Sequence, residues 1–97
     1  MENKRLLQIL EMMKLRYIEE YKDGYIHAGL CDILMYLRYD KDITTDEEDE
    51  VKVYLDDNRP NDYKQHLPFY WKKAEDKNRI KWLNKHINKL KSQINEE

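Results

Sequence analysis

Residues 42–58 read "DITTDEEDEVKVYLDDN" and carry the clearest helix-start signal in the chain. A Ser or Thr followed three residues later by Glu can bond reciprocally with the backbone at a helix N-terminus. Two pairs have that spacing, Thr44 with Glu47 and Thr45 with Glu48, so the start is open by one residue. With either pair, Asp46, Glu47, Glu48, Asp49 and Glu50 sit in the first turns, where the positive end of the helix dipole favours acids. Val51, Tyr54 and Leu55 then supply the apolar face of a helix over about 45–56.

Working outward toward the N-terminus, "IHAGLCDILMYLRY" at 26–39 predicts a second helix. Ile26, Leu30, Ile33, Leu34 and Leu37 line one side, and the apolar face is wide, as a central helix requires. Gly29 inside it costs about 1 kcal/mol relative to Ala, which close approach of another helix or ring would explain. Residues 3–22 predict a first helix, with Leu6, Leu7, Leu10, Met13, Tyr17 and Tyr21 at spacings of three and four. Gly24 suits the left-handed position past its end.

In the other direction, residues 58–75 contain Pro60 and Pro68 and no sustained period. So long a connection in a small domain is either ordered by its own aromatics or part of a working site. A last helix is predicted over about 77–94, with Asp76 as N-cap. In it Ile80, Leu83, Ile87, Leu90 and Ile94 form an a/d seam that packs within the domain or against a second copy of the chain. The expectation is all-α: one helical domain over 1–97, a compact bundle of about four helices with a long aromatic-containing loop before the last.

Composition narrows the function classes. Only two Gly and two Pro leave little punctuation for a many-stranded β fold. One cysteine, Cys31, excludes an internal disulfide. The apolar run in "MENKRLLQIL" is too short for a signal peptide, and nothing approaches a membrane span. A reducing cytoplasm is the expected compartment. Net charge is −2, yet residues 1–58 sum to −7 and residues 59–97 to +5, so the surface is polarised or one helix neutralises another.

Catalytic and metal constellations are incomplete. If Ile43 is placed as the apolar residue of a calcium loop, Tyr36 and Arg38 occupy ligand positions and Lys41 the turn glycine. His27 and Cys31 are four apart on one helix, half of a zinc site, and His66 and His86 would have to converge on them. The same pair lacks an orienting group and an oxyanion loop, and no hydrolase, P-loop or zinc-protease motif is present. No enzyme activity, metal or cofactor is expected.

Binding chemistry is better represented. "FYWKKAEDKNRIKWL" at 69–83 sets three rings side by side among basic residues. Phe69, Tyr70 and Trp71 are consecutive and cannot all face one way. Aromatics with Arg are the usual content of a binding hot spot, and they also pin a loop to a core. Arg59, Tyr70, Trp71, Lys72, Arg79 and Trp82 are the candidate contact residues. The acids Asp46, Glu47, Asp49 and Glu50 form a second candidate, since a row of carboxylates can imitate a phosphate backbone and enter a cationic cleft.

The order of "GLCDILMYL", "ITTDEEDEV", "NRP", "FYW" and "RIKWLNKHINKL" resembles a loose group of small, mostly uncharacterised phage-encoded helical proteins. The match rests on Gly29, Leu30, Cys31, Asn58, Pro60, Tyr70, Trp71, Arg79, Trp82 and Leu83. A second Thr after Ile43 departs from the group's helix start. The resemblance implies only a phage setting, hence a host cytoplasm. Short non-enzymatic proteins in that setting often act by stoichiometric binding, so the expectation is occupancy of a host or defence protein, as an inhibitor or counter-defence factor. Two alternatives stand beside it. One is a sponge for a nucleotide-type signal, with rings stacking on a base while Arg59, Lys72 and Arg79 hold phosphate. The other is a weak nucleic-acid binder using the C-terminal lysines, which the net charge does not favour.

Overall fold

The helix start near residue 44 resolves to one register. The Thr44 hydroxyl accepts the Glu47 amide at 3.1 Å, and the Thr44 amide donates to Glu47 Oε1 at 2.9 Å. Thr44 is therefore the N-cap, and the capping pair is Thr44–Glu47 rather than Thr45–Glu48. The structure, a computed structural model, describes residues 1–22, 30–58 and 76–96, without the side chains of residues 20–22, 31 and 76–78. Within these lie helices α1 (Asn3–Lys22), α2 (Leu30–Tyr39), α3 (Thr45–Asn58) and α4 (Asp76–Glu96), and no strand. The fold is an all-α bundle. The third and last helices each run two residues beyond the expected end, the normal uncertainty of helix termini. Gly24, residues 26–29 with Gly29, the 59–75 connection and the Asp76 side chain lie outside the described residues.

A tight turn joins α2 to α3. The Lys41 amide bonds to the Arg38 carbonyl at 3.0 Å and the Asp42 amide to the Leu37 carbonyl at 2.9 Å. Those two bonds define a Schellman cap, whose pivot residue takes the left-handed conformation. Here the pivot is Lys41, with φ of 64°, where glycine is usual. Ile43, buried just beyond, ties the turn to the core.

The core draws on all four helices. Ile9, Leu10 and Met13 of α1, Ile33 and Leu34 of α2, Val51 and Leu55 of α3 and Leu83 of α4 are wholly or almost wholly buried. Helices α1 and α4 run antiparallel: Tyr17 meets Arg79 in the first turn of α4, and Glu11, in the middle of α1, approaches Lys91 farther along α4. The a/d seam is used inside the chain. Leu83, Ile87 and Leu90 are buried in the shared core, and Ile80 packs partly buried against it. That leaves only a half-buried Ile94 at the end of the seam, so the seam is not a face for a second copy.

Candidate functional site

Arg79 and Trp82, expected at a contact surface, lie in the interior instead. Arg79 is fully buried and donates from Nη1 to the Tyr17 hydroxyl at 3.0 Å. Trp82 is 6% exposed and donates from Nε1 to the Asn58 carbonyl at 2.9 Å. Their i, i+3 spacing does place them on one side of α4, but that side faces the bundle. Arg59, Tyr70, Trp71 and Lys72 lie outside the described residues.

Around Trp82, among the described residues, three rings form a cluster. His86 stacks on Trp82 with centroids 4.1 Å apart at 32°, and Tyr54 meets both edge-on. The Tyr54 hydroxyl lies 2.7 Å from His86 Nδ1. Burial, with the fields of Lys85 and Lys89 added, lowers the His86 pKa to about 4. A ring kept neutral suits this site, since the imidazolium would be desolvated beside two ammonium groups. Burial also raises the Tyr54 pKa. The cluster joins α3 to α4 through the Tyr54–His86 contact and the Trp82 bond to the Asn58 carbonyl.

The acidic candidate divides into two chemically different sets. Glu47 is held by Arg5, which donates from Nε to Oε2 and from Nη2 to Oε1 and also reaches the Asp42 carbonyl. The Arg5 bond and the Thr44 amide lower the Glu47 pKa to about 2. Glu48 is buried, with Lys52 Nζ at 2.8 Å and Arg38 Nη1 at 3.4 Å. Both carboxylates belong to the joints between α3 and its neighbours. An open depression beside the α2–α3 turn is lined by Arg5, Arg38, Lys41, Thr44 and Glu47, and Arg5, Arg38 and Glu47 are engaged in these pairs.

The second set faces water. Asp46, Asp49, Glu50, Val53, Asp56 and Asp57 are all exposed. Their spacing of three and four puts them on one stripe of α3, opposite Glu48, Val51 and Leu55, which face the core. Among the described residues, no ion pair reaches Asp46, Asp49, Asp56 or Asp57. The capping argument accounts for acids in the first turn and for no others. Asp56 and Asp57 occupy the last turn, which contains no basic residue, next to the negative end of the dipole. There an acid costs a few tenths to about 1 kcal/mol. These two were not among the expected site residues. The signal for them was in the sequence as "LDDN", acids at the wrong end of a helix.

Among the described residues, no three His, Cys, Asp or Glu side chains converge as a metal site would require, and no helix is long and apolar enough to cross a membrane. Comparison of the chain with protein-family models, curated proteins and solved structures found no match.

Proposed function

We propose that the chain is a non-enzymatic binding protein that works by stoichiometric occupancy, and that the outward stripe of α3 enters a cationic cleft on a partner protein. One observation carries the reading. Asp56 and Asp57 continue the acidic stripe into the turn where the helix dipole opposes them, without a basic partner among the described residues. Local rules broken at a cost to stability are a mark of functional positions. The stripe runs from Asp46 to Asp57 of α3, about 17 Å at 1.5 Å per residue. Carboxylates in such a row present a field that a groove built for phosphates would accept. The sequence resemblance supplies the setting of the proposal, in which the partner is a host or defence protein in a bacterial cytoplasm.

The test is capture from infected and uninfected bacterial lysates with the tagged wild type and with an Asp49→Asn, Asp56→Asn, Asp57→Asn variant shown to be folded. The expected result is one protein retained by the wild type, released by salt or duplex DNA, and lost from the variant. Identical eluates would overturn the acidic surface. The weak nucleic-acid reading keeps one supporting feature, the exposed row Lys81, Lys85 and Lys89 on α4. Titration of a labelled oligonucleotide would decide it, with affinity falling steeply as salt rises.

A further inference from the structure

We draw no further inference here: the strongest candidate, the open depression beside the α2–α3 turn, carries none, because its Arg5 and Arg38 are held by Glu47 and Glu48 and nothing in the structure points to a ligand for what remains, Lys41 and the N-terminus of α3.

Discussion

Glu47 does two jobs with one carboxylate, and both are measurable. It closes the cap on Thr44 and receives Arg5 from α1. Its pKa falls from 4.5 to about 2, so its stabilising effect is complete above the unfolded value and disappears as pH drops through about 2. Because the carboxylate is one-fifth exposed, solvent screening limits the effect to about 1–2 kcal/mol. Denaturant melts of the wild type and Glu47→Gln should differ by that amount at neutral pH and converge toward pH 2. Thr44→Ala should cost about 1 kcal/mol.

His86 acts in a higher window. Its folded pKa is about 4 against 6.5, so the unfolded chain takes up a proton first as pH falls. Stability is full above pH 6.5 and declines toward pH 4, by about 2–3 kcal/mol in all. His86→Gln should flatten that part of the profile. Lys41→Gly tests a local strain, since a side chain in the left-handed region costs about 1 kcal/mol. The expected gain is somewhat smaller, because glycine also loosens the unfolded chain. Equal urea midpoints for the two proteins would show that the turn is unstrained.

Along α3, the cap, the core face and the outward acids answer to different requirements. Glu47, Glu48, Val51 and Leu55 hold the helix to the bundle, so their replacement should weaken folding. The outward acids should behave in the opposite way. Asp56→Asn with Asp57→Asn relieves repulsion at the negative helix end and should raise stability by about 0.5–1 kcal/mol, while lowering capture of the partner proposed above. A fall in Tm for this variant would mean that the two acids have a structural role. Helix α2 has the same duality in apolar form, a core face and an outer face on which Met35, Tyr36 and Tyr39 are exposed. The breadth of its apolar pattern was visible in "LCDILMYLRY", where it was read as the mark of a central helix.

Across the bundle, buried polar contacts join the antiparallel pair α1 and α4. Tyr17→Phe removes the hydroxyl that accepts from Arg79 Nη1 and should cost about 1–3 kcal/mol, the usual worth of a hydrogen bond to a charged group. Total stability for a chain of this size is on the order of 5–15 kcal/mol, so the change should show clearly in a urea midpoint. Leu83→Ala, at the centre of the core, should cost about 2–5 kcal/mol.

Helix positions, the capped start and the core faces of α1, α3 and α4 could be read from sequence, because helix periodicity and capping depend on residues within four positions of one another. Whether the register began at Thr44 or Thr45 could not be read, since both pairs satisfy the local rule; Arg5, from a helix forty residues away, engages Glu47. Nor could spacing reveal that Arg79 and Trp82 face inward. A ring and a guanidinium on one side of a helix look alike whether that side meets water or Tyr17 and Asn58. Packing assigns the faces, because burial depends on which distant helices arrive and on where their polar atoms can be satisfied.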